Sequence, residues 1–297
     1  MLKNLFVHPE QQRLRTGWRI LLQIILLVLL TILAAPFFVG LASLTPALAF
    51  LGDSFLIQAL ALTGSIYLAR RWLDRRSFVS LGLRWDDLAI RDLMLGIILP
   101  AVLFGLIFAA EWALGWLDFE GFAWQQAGFD ITPLGYWLFA FILVGIYEEL
   151  LSRGYHLQNL AEAFGLRWAV FISSAVFSLL HLANPSASWT SVLGILGAGY
   201  FLAYPYLRTG SLWLSIGLHI GWNFFEGPVF GFPVSGLEST ALLLHSNSGP
   251  ELITGGAFGP EAGLIVLPAL VVGAGLVALY TRGREPMTDE RVVAQSK

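Results

Sequence analysis

Residues 133–155 read PLGYWLFAFILVGIYEELLSRGY: fifteen residues without a charge, then Glu148, Glu149 and Arg153 within the next six. A run of that kind is membrane-helix sequence, and each ionisable group at the centre of a bilayer costs roughly 2.5–3.5 kcal/mol. On a helix Glu149 and Arg153 are four apart and share a face. Glu148 points about 100° away from Glu149. One carboxylate is then held by the guanidinium while its neighbour faces a different helix.

The rest of the chain agrees with a lipid environment. Of 297 residues, 57% are hydrophobic and only 12% charged, about half the roughly 25% that a soluble surface needs. Fourteen per cent aromatics with eleven Trp argue against disorder and suit anchoring at the membrane interface. The absence of cysteine excludes disulfides, thiolate catalysis and Cys-ligated metal. Nothing in the charge pattern calls for a nucleic-acid partner. The expected partners are the lipid bilayer and a membrane-associated peptide or protein.

Eight runs are long enough to span roughly 30 Å of hydrocarbon: 18–41, 47–69, 92–117, 133–152, 168–185, 188–207, 211–232 and 261–281. The second is interrupted by Asp53, and the sixth carries Gly194, Gly197 and Gly199, which suits close helix contact. The first run is too long and starts too late for a cleaved signal peptide and reads as a span. All 17 Lys and Arg residues fall on one side of an eight-span topology. Lys3 to Arg19 precede the first span, Arg70 to Arg91 follow the second, Arg153, Arg167 and Arg208 sit at later junctions, and Arg282 to Lys297 follow the last. The alternate loops (42–53, 118–132, 185–190 and 233–260) hold no cation. The positive-inside rule then puts both termini in the cytoplasm of a multi-pass cell-membrane protein. The fold expected is an all-α bundle of eight transmembrane helices forming a single domain, residues 1–297, with a core near 133–232.

Two further spans carry polar groups. The fifth holds Phe177-x-x-x-His181, and the seventh His219-x-x-x-Asn223, whose His and Asn lie on one helix face. A lone His on an apolar helix is usually a hydrogen-bonded packing residue, and a Glu-Glu-Arg cluster can be a structural ion group. Their depth raises the joint case. With a hairpin turning near Gly165, Glu148 lies 17 residues before the turn and His181 16 after it, so the two are level. His219 stands ten residues beyond a turn near Thr209-Gly210, about 15 Å into its span. An overhang of about 10 Å in the first hairpin, around His156, Gln158, Asn159 and Glu162, brings all three to one depth.

A carboxylate, two imidazoles and an amide in a dry cavity can hydrolyse an acyl bond in two ways. In one, Glu148 with His181 takes a proton from water while His219 and Asn223 stabilise the oxyanion. In the other, His181, His219 and Glu148 or Glu149 bind a divalent metal such as Zn²⁺, with the remaining carboxylate as base. No His-Glu-x-x-His, Gly-x-Ser-x-Gly or P-loop sequence is present, which disfavours the common zinc proteases, serine hydrolases and P-loop ATPases.

Glu148-Glu149-x-x-x-Arg153, Phe177-x-x-x-His181 and His219-x-x-x-Asn223, in that order on successive membrane helices, resemble the CAAX prenyl endopeptidase/Abi (CPBP) family of intramembrane proteases. The resemblance spans about residues 133–232. It implies an eight-helix fold with a site reached from the cytoplasm and an endopeptidase activity on membrane-associated, CAAX-like substrates. It also implies that Glu148 activates water with His181, that His219 and Asn223 hold the oxyanion, and that Glu149 and Arg153 organise the site. Both a metal-bound and a metal-free glutamate mechanism stay open. Ser152 departs from the aromatic residue usual before the family's Arg-Gly, and removes no catalytic group.

Two other readings compete. A proton- or ion-coupled transporter would use buried Glu, Arg and His as a path, with Glu111 and Glu226 as further stations. It predicts paired inverted repeats, and the sequence shows none. A catalytically silent immunity or scaffold protein would not need every one of these residues.

Overall fold

The first helix, α1 (Thr16–Ala42), is amphipathic inside out: its buried residues are Thr16, Arg19 and Gln23, while Ile24, Val28, Ile32 and Leu33 stand exposed. Spacing of three to four puts the polar residues on one stripe, and that stripe faces protein. Water would reverse the pattern; lipid favours it. The computed structural model describes residues 5–9 and 12–294. Lys3 and Lys297, two of the cations used for the topology, lie outside the described residues.

Among the described residues, five helices are long and apolar enough to cross a membrane: Thr16–Ala42, Ala89–Ala113, Thr132–Phe164, Leu166–Ala183 and Trp189–Thr209. The chain is a mostly helical, multi-pass membrane protein. The other three expected spans contain shorter helices. α2 (Ser54–Leu68) follows a 3₁₀ segment, Pro46–Gly52, and Asp53 caps it by accepting from the Leu56 N–H at 3.0 Å. α3 (Ala89–Ala113) comes next. α4 (Thr132–Glu149) runs through a π-helical turn, Leu150–His156, into α5 (Leu157–Phe164). Gly165, at φ +77°, reverses the chain into α6 (Leu166–Leu180). α7 (Trp189–Thr209) ends at Gly210, φ +68°, and leads into α8 (Trp213–Phe224). The last apolar helix is α9 (Val266–Tyr280).

α8 is only 12 residues long because it never meets lipid: every residue from Leu214 to Asn223 is buried. A helix enclosed on all sides is defined by its protein neighbours, not by the bilayer. Its contact with α3 is backbone on backbone. A Cβ added at Gly217 would lie 2.3 Å from the Leu93 carbonyl oxygen, and one at Gly221 would lie 2.2 Å from that of Ile97. This is small-residue packing of the kind that lets membrane helices approach. The glycines of α7 act in the same way: Gly199 meets Ser174 of α6, and Gly194 meets the Glu261 backbone.

Among the described residues the departure from an all-α fold is one two-stranded antiparallel sheet, β1 (Leu117–Phe122) with β2 (Leu243–Asn247), with a bulge between Phe119 and Gly121. These strands come from two stretches expected to be loops. The alternation Leu117-Asp118-Phe119-Glu120 is a strand period of two, too short to stand out beside the helical runs.

The opposite end of the bundle is tied by a buried ion cluster. Arg19 meets Asp74 at 2.8 Å and Glu162 at 2.7 Å, Arg70 meets Asp74 at 2.9 Å, and Arg13 meets Glu162 at 2.9 Å. Arg76 also pairs with Glu162, and burial lowers its guanidinium to about 10. His156, Gln158 and Asn159 are buried too. The polar stretch expected as an overhang is therefore packed inside protein, against α1 and the chain around Arg70. Arg153, counted above as a junction cation, is also buried.

Candidate active site

α8 carries two chemistries on two faces. Gly217 and Gly221 face α3; His219 and Asn223 are offset from them by two residues, about 200° around the helix, and line a cavity of about 470 Å³. Gly145 of α4 lets that helix approach close to Ile216 and Ile220 of α8. Glu148 and Glu149, one turn further along α4, arrive beside His219.

Glu149 is the hub. Its Oε1 accepts from Arg153 Nη1 at 2.7 Å and lies 2.9 Å from His219 Nδ1. Arg153 also donates to the Gly199 carbonyl at 2.9 Å, and its guanidinium sits 4.4 Å over the Phe177 ring. One carboxylate oxygen thus joins α4, the π-helical turn and α8, and Arg153 extends the link to α6 and α7. Arg153 and Glu149 are 1% and 0% exposed, so this is a fully desolvated pair whose strength depends on its geometry. Such π-helical turns recur at functional sites.

Glu148 differs from its neighbour. It lines the cavity, and its Oε2 has no hydrogen-bond partner. The nearest basic group is His219 Nε2 at 3.8 Å, beyond hydrogen-bond range. His219 therefore stands between two carboxylates, bonded to Glu149 and facing Glu148.

His181 and Asn223 line the same cavity. His181 Nδ1 lies 2.8 Å from the Phe177 carbonyl, an acceptor, so Nδ1 carries the proton and Nε2 is the basic nitrogen of the neutral ring. The two Phe-His contacts centre on Phe177, which packs against both His181 and His219. All six residues singled out in the sequence, Glu148, Glu149, Arg153, His181, His219 and Asn223, fall within this one cluster and its cavity. Among the described residues no three His, Asp or Glu side chains are grouped to hold a metal ion.

Several cavity residues lacked a sequence signal. Tyr147 donates to Gln58 Oε1 at 3.0 Å, and both line the cavity with Ser152. Trp222 and Ser235 line it as well and hold Glu261. Glu261 follows the 233–260 loop, which the sequence marks only by its lack of cations. Asn184 on the α6–α7 connection donates to the Ser235 carbonyl at 3.1 Å. A single Ser, Gln or Glu far from the motifs has no spacing to reveal it.

Residues 130–225 match the family model described as Type II CAAX prenyl endopeptidase Rce1-like. No curated protein and no solved structure matches the chain. The matched stretch begins just before α4 and ends just after α8, and it contains every residue of the cluster. This Rce1-like stretch covers about a third of the chain and supports its resemblance to the CAAX prenyl endopeptidase/Abi family of membrane proteases.

Proposed function

We propose that this protein is an intramembrane endopeptidase that hydrolyses membrane-associated peptides with water activated by Glu148, without a metal. Glu148 removes a proton from water as the oxygen attacks the scissile carbonyl carbon. The basic Nε2 of His181 accepts the water's second hydrogen and orients it. The developing oxyanion takes hydrogen bonds from the Asn223 amide and from His219 Nε2–H, the imidazolium being held by Glu149. Glu148 then passes its proton to the leaving amine as the C–N bond breaks, which restores the carboxylate. Glu149 and Arg153 position these groups and do not touch the substrate.

The observation that carries this reading is the asymmetry of the Glu pair: Glu149 is bonded to Arg153 and His219, whereas Glu148 lines the cavity with a free oxygen. The reading further takes the chain as a single membrane domain of eight spans. Its core is near 133–232, and both termini lie on the cytoplasmic side, where the cations cluster. Purified protein incubated with membrane-anchored peptides tests it, using wild type, Glu148→Ala and His219→Ala with and without chelator. Cleavage by wild type in chelator, abolished by both substitutions, is expected. Cleavage lost on chelation and restored by a divalent ion would overturn the metal-free mechanism.

A further inference from the structure

A second pair of carboxylates adjoins the cavity, and the proposed hydrolysis does not use it. Glu261 lines the cavity wall. Its Oε1 accepts from the Trp222 indole N–H at 2.9 Å, and its Oε2 accepts from the Ser235 hydroxyl. Behind it Glu226 is 0% exposed, and neither of its oxygens has a hydrogen-bond partner. Gly259 packs beside Glu226, 3.4 Å from its Oε1 at the Cβ position. A buried carboxyl with no donor is costly, and next to a second carboxylate it is relieved by holding a proton or by a positive partner at the pair.

The one cation that the proposed hydrolysis gives the cavity, the His219 imidazolium, is held by Glu149. Apart from Tyr147, the ionisable residues lining the cavity are Glu148, His181, His219 and Glu261. Arg153, the neighbouring cation, is taken by Glu149 and the Gly199 carbonyl. The remaining wall is largely apolar, including Phe55, Leu62, Phe141 and Phe201. The cavity is thus a greasy chamber with a net acidic wall, fitted to an apolar segment that carries one positive charge.

The position of the pair sets a register. Trp222 and Glu226 follow His219 by three and seven residues, so the acidic wall stands about 5–10 Å from His219 along α8. An extended peptide rises about 3.3–3.6 Å per residue, so the charge recognised is two or three residues from the bond cut. We propose that Glu261, backed by Glu226, forms a specificity subsite for a lysine or arginine side chain of an otherwise apolar substrate, two or three residues from the scissile bond. This rests on the protease reading above and adds a substrate class to it.

The test is a set of membrane-anchored peptides with a single lysine moved one position at a time, each paired with its norleucine counterpart. Both cleavage and binding are read, the latter by fluorescence anisotropy on Glu148→Gln protein. At one position, two or three residues from the cut, the Lys:Norleucine ratio of kcat/KM should be about ten or more, the size of one charge-assisted hydrogen bond. In Glu261→Gln that ratio should fall to near one. The ratios are internal to each protein sample, and the wild-type scan does not depend on how the variant folds. Cleavage with no lysine preference at any position overturns the subsite and leaves the protease reading standing. Binding that prefers lysine through Glu261, without cleavage of any peptide, overturns the protease reading and supports the subsite. Neither cleavage nor preferential binding overturns both.

Discussion

Four arginines surround Asp74 and Glu162 at one end of this molecule, whereas one arginine and a histidine serve Glu148 and Glu149 in its cavity. Both clusters are buried, and both would register in a sequence as charges misplaced in apolar surroundings. At Asp74 and Glu162 all four carboxylate oxygens are occupied: Asp74 by Arg19, Arg70 and Asn159, and Glu162 by Arg13, Arg19 and Arg76. Oε2 of Glu148, which lines the cavity, and Oε2 of Glu149, buried beside it, have no partner. A carboxylate whose oxygens are all taken by arginines holds helices together; one with an oxygen free and facing a cavity is available to water or substrate. Completeness of hydrogen bonding, not burial, separates the structural ion cluster from the reactive one.

Substitution should split the two. Glu148→Gln keeps size and polarity but removes the base. Cleavage is expected to fall about 10²–10⁴-fold, with an unfolding temperature in detergent close to that of wild type. Asp74→Asn leaves Arg19 and Arg70 buried with weaker acceptors. It is expected to destabilise by about 3–5 kcal/mol, read by thermal unfolding, while the cleavage rate per folded molecule stays near wild type. Asn223→Ala removes one oxyanion donor, and kcat should drop about 10²–10³-fold with little change in KM. Equal losses in kcat and in stability for Asn223→Ala would place it in the packing and not in the chemistry.

The smallest expected effect probes an unpartnered atom outside both clusters. His245 on β2 donates from Nε2–H to the Phe230 carbonyl at 3.0 Å, while its Nδ1 has no partner. Burial lowers its pKa. A histidine lowered in the folded state binds fewer protons than the unfolded chain below about pH 6.5, so its contribution to stability declines as pH falls through that value. Amide protection factors in β1 and β2, corrected for the intrinsic pH dependence of exchange, should therefore fall at mildly acidic pH, and His245→Gln should flatten that dependence. Acid-induced loosening spread evenly over the helices would not fit His245 as its source.

The sequence and the fold agree best where periodicity and charge speak together. The long apolar runs of α1, α3, α4, α6 and α7 stand out because lipid demands an unbroken stretch. α8 and α9 are weaker signals as membrane helices because enclosure or close packing substitutes for length. The six motif residues were legible from their i, i+4 spacing on successive helices. The sheet was not, because strand pairing between residues 117 and 247 is non-local. Arg70, Arg76 and Glu162 read as loop charges, since nothing in their spacing announces that α1 and α5 close over them. Glu261 escaped notice for the same reason, being brought to the cavity by Trp222, Ser235 and the close approach at Gly194.

The most direct test of the contrast between the two clusters is a single experiment on Glu148→Gln and Asp74→Asn, each purified beside wild type. Cleavage of a membrane-anchored peptide and the unfolding temperature would be recorded on the same samples. The predicted result is a crossing: Glu148→Gln folds like wild type and does not cleave, and Asp74→Asn unfolds earlier but cleaves while folded. A Glu148→Gln protein that cleaves at the wild-type rate would contradict the assignment of Glu148 as the base.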